Sequence, residues 1–316
     1  MEENKDRDLH NTEKSVEKCS RGFLHDFVAG ICIGIAFIIP GFSGGSVAAI
    51  LGVYEKLVNA IANIFKEMKK SIVTLLPIGL GLVSGVLALI YPIGFLIEKF
   101  PLPTVSLFVG LAIGGIPSLG SKVNGRVKAQ NVLAISLPFV LATLLCFIPV
   151  GSDVDLFNLH VGGYALLFLV GILGSCALVV PGISGSMLLL ILGYYNPIVR
   201  LVTDHLFKLQ DIGASILVLG ACGVGVAVGF FLISVLMKEM LKRYPRGTYF
   251  AIIGFIIGSV PTVYVSTMKS AGMLTSSLKI VAMPTSPWHY VISALMLAGG
   301  IVAAYSFSVL AAKDKK

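Results

Sequence analysis

Two short stretches of this chain have the composition of an anion receptor. Pro40-Gly41-Phe42-Ser43-Gly44-Gly45-Ser46 recurs 141 residues later as Pro181-Gly182-Ile183-Ser184-Gly185-Ser186. In each, a proline and a glycine stop one helix, and a Ser-Gly cluster opens the next. The first amides of a new helix have no carbonyl partner and point out of its N-terminus. Partial positive charge gathers there. Glycine lets a ligand approach the backbone closely, and Ser43, Ser46, Ser184 and Ser186 add hydroxyl donors. The expected chemistry is reception of a phosphate or carboxylate. Ser43, Gly44, Gly45 and Ser46 would form one half of the receptor and Ser184, Gly185 and Ser186 the other, with the breaks at Pro40, Gly41, Pro181 and Gly182. A helix cap at Ser43, or small-residue packing between membrane helices, would use the same residue types. Duplication in register favours a binding site.

Other candidates are fewer. Arg200 and Asn196 follow the second break, and Arg200 can draw an anionic headgroup or anchor a helix end by snorkelling. Tyr54, Tyr194 and Tyr195 read as interfacial anchors. The apolar runs hold no pair of carboxylates and no Cys/His couple; Glu55, Glu98 and Glu239 sit near run ends. General acid–base or nucleophilic catalysis has no evident residues. The five cysteines and five histidines show no metal-ligand spacing. The chain is therefore expected to be no enzyme and to need no metal or cofactor.

The elements that must position these residues are membrane helices. The chain of 316 residues is 56% hydrophobic and 13% charged, with mean hydropathy +0.93. Its apolar residues run continuously, which describes an all-α polytopic membrane protein. Alternating segments of a β-barrel are absent. The polar N-terminal tail, 1–21, has no apolar core of a signal peptide. Full spans are expected at 71–97, 103–119, 131–150, 212–237, 247–266 and 289–311. The runs flanking the first break, 24–39 and 46–61, are too short to cross: at about 1.5 Å per residue each makes roughly 24 Å against a ~30 Å core. A re-entrant helical hairpin over 24–61 fits better, with a second over 165–202.

The duplication extends well beyond the breaks. Gly30 matches Gly171, Gly52 matches Gly193, and Tyr54 matches Tyr195; at an offset of 144, Gly81 and Gly85 match Gly225 and Gly229, and Gly110 and Gly114 match Gly254 and Gly258. These last are small-xxx-small pairs expected to bring helices close. The organisation is thus a tail (1–21), repeat one (22–130), a linking helix (131–150), repeat two (162–267), and a C-terminal helix with a basic tail (288–316). Of the 24 Lys and Arg residues, nineteen fall in one set of loops and five in the other. The rich side is expected to be cytoplasmic, with both termini. The net charge of +8 is then topological and implies no nucleic-acid partner. On this count the two hairpins enter from opposite faces, so the repeats are inverted, as in alternating-access transporters.

At these residues the chain resembles the bacterial polyprenyl-phosphate (undecaprenyl phosphate) translocase family, of the PopT type. The resemblance lies in the paired motifs, followed by Ile50-Leu51-Gly52-Val53-Tyr54 in one copy and Ile191-Leu192-Gly193-Tyr194-Tyr195 in the other. It implies a flippase returning undecaprenyl phosphate from the outer to the inner leaflet of the bacterial cytoplasmic membrane for cell-wall synthesis. The phosphate would be held at the two breaks. The family pattern also implies an acidic residue where this chain has Phe37 and a glutamate where it has Asn196. Coupling to protons or sodium through those carboxylates therefore does not carry over. A permease for a small soluble anion and a non-transporting membrane scaffold are the alternatives.

Overall fold

The computed structural model describes residues 22–39, 42–120, 122–123, 129–149, 151–157, 159–201, 212–274, 280–281 and 287–313. Pro40 and Gly41 lie outside them, as does the tail. Most of the described residues are helical. In the first half, α1 (Gly22–Ile38) leads into α2 (Gly44–Ile50), α3 (Tyr54–Ala62), α4 (Met68–Lys99), α5 (Pro101–Gly120) and α6 (Ala129–Leu144). The second half follows as α7 (Val161–Val179), α8 (Gly185–Ile191), α9 (Tyr195–Arg200), α10 (Ile212–Arg243), α11 (Pro245–Ser270) and α12 (Pro287–Lys313).

Five of these helices, in α4, α5, α10, α11 and α12, are long and apolar enough to cross a membrane, or six spans if the bent pair α2–α3 counts as one. The chain is a multi-pass membrane protein. The sixth expected span, 131–150, is shorter: α6 gives way to a 3-10 turn at Leu145–Phe147. More than half of the most apolar stretch of α5 and of α11 is buried, against less than a quarter in α4, α10 and α12. Apolar helices with so little burial expose their side chains to lipid, so α5 and α11 form the centre of the protein.

Glycines decide which helices pair. A Cβ on Gly30 of α1 would stand 2.2 Å from the Ile78 carbonyl oxygen of α4, and one on Gly81 would stand 2.0 Å from that of Phe27. The duplicated positions repeat this contact: Gly171 of α7 against the Cys222 carbonyl of α10, at 2.4 Å, and Gly225 against that of Phe168, at 2.1 Å. Only helices lacking side chains at these points can approach so closely. The central helices pair across the halves. Gly110 of α5 lies against Leu297 of α12, and Gly254 of α11 against Ile135 of α6. Each half thus packs its central helix on the last helix of the other.

The second arm of each hairpin differs from the single helix expected. The 46–61 run breaks into α2 and α3, bent by 116°, and 186–202 divides likewise into α8 and α9. The cause is Gly52 (φ +73°) and Gly193 (φ +77°). Beyond α2, the amide of Gly52 donates to Ala49 O (3.2 Å) and that of Val53 to Ala48 O (3.0 Å). Beyond α8, Gly193 donates to Leu190 O (3.1 Å) and Tyr194 to Leu189 O (2.9 Å). Both are Schellman caps, which need a residue at positive φ and so favour glycine. The turns carry Tyr54 and Tyr194 into the interior, 4% and 5% exposed, so neither is the interfacial anchor expected.

Candidate functional site

The Ser-Gly clusters begin helices as their composition dictates. Ser43 is the N-cap residue of α2 and Ser184 that of α8, both with extended backbone. At the second break Gly182 adopts φ +91°, and a Cβ there would come within 2.5 Å of the Phe255 backbone of α11. The position therefore requires glycine, and the break is seated on the protein's centre. Gly44 and Gly45, and Gly185 and Ser186, are the first residues of their helices, so their amides precede the first intrahelical bonds. With seven residues each, α2 and α8 offer these individual N–H groups more than a developed macrodipole.

The two breaks open onto one cavity. It measures about 200 Å³ and is lined by Ser43 and Gly44 of the first break and by Ser184, Gly185 and Ser186 of the second. Phe37 and Phe42 close one side, and Gly171 and Gly174 of α7 with Tyr195 of α9 close another. None of the described lining residues carries a charge. The two serine caps are in different states. The Ser184 hydroxyl accepts from the Met187 amide at 3.5 Å and lies 3.0 Å from that of Ser186. The Ser43 hydroxyl is buried without a hydrogen-bond partner, as is that of Ser46. Buried hydroxyls are normally bonded, so Ser43 holds an unused donor at the cavity wall.

The remaining candidates lie elsewhere. Ser46 is buried inside α2 and is not among the cavity's lining residues, while Gly45 lines a separate cavity toward Tyr54 and Ile78. Arg200, two-thirds exposed, reaches Asp153 at 3.1 Å, and Asn196 donates to the same carboxylate at 3.2 Å. This group fastens α9 to the segment before α7, whose Gly151 and Val154 amides bond to Ile191 O and Gly193 O. Arg200 is not among the residues lining the cavity.

In the first half α3 is fastened by different means. Glu55 takes an ion pair from Lys122 at 2.7 Å and a hydrogen bond from the Tyr249 hydroxyl. Lys122 also stands 5.3 Å over the Tyr249 ring, a cation–π geometry. Lys56 pairs with Asp26 of α1, a carboxylate only 4% exposed. Sequence reasoning passed over the α7 glycines as cavity-lining residues, and over the Asp26–Lys56 pair that ties α3 to α1. Gly171 was visible as the repeat of Gly30. Asp26 left no signal, because its partner lies thirty residues away on a helix the sequence did not separate.

The family described as VCA0040-like, undecaprenyl phosphate translocase-like, matches residues 33–276. The chain is 28% identical over 247 residues to a polyprenyl-phosphate transporter of Staphylococcus aureus, covering 76% of this chain and 85% of that protein. It is 25% identical over 256 residues to a polyprenyl-phosphate transporter of Vibrio cholerae, covering 77% and 78% respectively. No solved structure matches it.

Proposed function

The chain belongs to the VCA0040-like, undecaprenyl phosphate translocase-like family, a family of transporters and not of enzymes, and on that premise we propose that it carries undecaprenyl phosphate across the bacterial cytoplasmic membrane. The direction is from the outer to the inner leaflet, returning the carrier lipid for cell-wall synthesis. The phosphate binds between the two breaks, to the amides of Gly44 and Gly185 and the hydroxyls of Ser43, Ser184 and Ser186. The observation that carries this reading is the shared cavity: duplicated motifs 141 residues apart line one space.

Moving a phosphate through hydrocarbon without compensating donors would cost many kcal/mol. Neutral donors from both halves offset part of that. Alternating access follows if the halves are inverted about this cavity, with both termini on the Lys/Arg-rich cytoplasmic face. Supporting the inversion is the charge asymmetry of the loops; the matching glycine contacts of α1–α4 and α7–α10 support the duplication itself. Inward movement of a phosphate opposes a potential negative inside by about 2.3 kcal/mol per charge per 100 mV. Net return therefore runs down a lipid gradient or with a coupling cation.

Native mass spectrometry of the purified protein tests the site. Undecaprenyl phosphate should bind in preference to phosphatidylglycerol, and the Ser43→Ala/Ser184→Ala double variant should lose that preference. Equal binding of both lipids, unchanged by the substitutions, would overturn the reading.

A further inference from the structure

A lipid can be held by its phosphate only if its chain has a way out of the site. A second cavity of about 280 Å³ lies between α1, α2, α5 and α12. Every described residue lining it is apolar, among them Cys32, Ala36, Val47, Phe108, Ala112 and Ala304. Its inner wall is Phe42, which also lines the cavity at the breaks. The Phe42 ring rests on Phe108 of α5 with centroids 6.1 Å apart. The inner end is buried: Phe42, Ala36 and Ala112 are 8%, 1% and 4% exposed. At the outer end Val28 of α1 and Ala303 of α12 are exposed, the latter on a helix whose apolar surface is almost wholly unburied. The groove thus runs from the bilayer to the wall of the phosphate cavity.

We propose that this groove is the passage for the polyprenyl chain, with the first isoprene units lying against Phe42, Ala112 and Ala304 while the phosphate occupies the breaks. The inference rests on the proposed function and extends it to the hydrocarbon part of the substrate. Bilayer tails are as apolar as the groove, so the groove does not extract the chain by hydrophobic attraction. It gives the chain a route, and its wholly apolar lining offers a polar headgroup no partner. Phe42, packed between the two cavities, stands where chain and headgroup join. A carrier of soluble anions would have no use for an all-apolar passage abutting its anion site.

The test is photo-crosslinking in lipid nanodiscs, using a polyprenyl phosphate with a diazirine in the isoprene unit next to the phosphate. Adducts that excess undecaprenyl phosphate competes away should map to α1, α2, α5 and α12. In the Ala303→Trp variant, which narrows the mouth from the exposed surface, they should fall about tenfold, equivalent to about 1.4 kcal/mol. Competed adducts confined to α7 and α10 would overturn the groove and leave the substrate intact. Competed adducts nowhere would overturn the substrate reading, and the groove with it. Ala112→Phe, which fills the inner end, gives a second variant; groove adducts undiminished in both variants would refute the passage.

Discussion

Replacing Ser43 and Ser184 singly by alanine should separate binding from folding. The Ser43 hydroxyl is buried and unpartnered. A buried hydroxyl without a bond costs about 1–3 kcal/mol, so Ser43→Ala should leave the lipid-free protein as stable or stabilise it by about 1 kcal/mol. The Ser184 hydroxyl accepts from the Met187 amide and contacts Ser186. Losing such a cap costs about 1 kcal/mol, so Ser184→Ala should destabilise the lipid-free protein by that amount. On binding, the two should behave alike. A hydrogen bond to a charged group is worth about 1.5–3 kcal/mol, which is a loss of roughly ten- to a hundredfold in affinity for undecaprenyl phosphate. Thermal unfolding of the purified protein, with and without the lipid, reads both quantities in one experiment. Without lipid the melting temperature should fall in Ser184→Ala and hold or rise in Ser43→Ala, and the lipid-induced rise should shrink in both variants. If Ser43→Ala destabilises the lipid-free protein as much as Ser184→Ala and leaves the lipid-induced rise intact, Ser43 is an ordinary cap and the phosphate site is wrong.

Other substitutions test the frame. Gly81→Ala would place a Cβ 2.0 Å from the Phe27 carbonyl oxygen, whereas Gly79 on the same helix has open space; the first should destabilise by about 2 kcal/mol or more and the second stabilise by up to about 1 kcal/mol, read as denaturation midpoints in mild detergent. Gly52→Ala should cost about 1–2 kcal/mol from its positive φ alone, and Gly193→Ala should cost more, because its Cβ would also meet the Ser152 carbonyl oxygen at 2.1 Å; equal losses would mean that the segment before α7 yields freely. Lys56→Met leaves the buried Asp26 carboxylate with only the longer contact to His25 Nδ1, at 3.4 Å, and should cost about 2 kcal/mol, below the usual penalty for a fully buried pair because Lys56 is half exposed; Asp26→Asn in the same protein should restore most of the loss.

How much of this was legible in the residues depended on whether the signal was local. The two breaks were, because Pro-Gly and Ser-Gly-Ser carry backbone chemistry of their own. The pairing of α1 with α4 and of α7 with α10 was half visible: the small-xxx-small glycines named one face of each contact, and the duplication named the matching helix. The Schellman turns were written at Gly52 and Gly193 but were masked by apolar neighbours, since a hydrophobic run reads the same whether it bends or continues. Arg200 shows the opposite failure. Its type and place after the break fitted a headgroup ligand, but charge alone does not reveal an acidic partner, and Asp153 lies in a stretch without regular structure. The apolar walls of both cavities left no trace, because aliphatic residues that line a space and those that fill one are the same residues.

The exchange of last helices between the halves also governs how the protein can be made. The glycine face of α5 is completed by α12, at the far end of the chain. During synthesis at about 5–20 residues per second, that face waits on the order of ten seconds for its partner. Through that interval a helix with bare backbone stands in the bilayer, open to lipid or to helices of other proteins. The first half cannot be finished before α12 is inserted. Truncation within α12 would remove a wall of the central helix and not a dispensable tail, and the nascent chain has a defined period in which a membrane insertase or chaperone could usefully hold it.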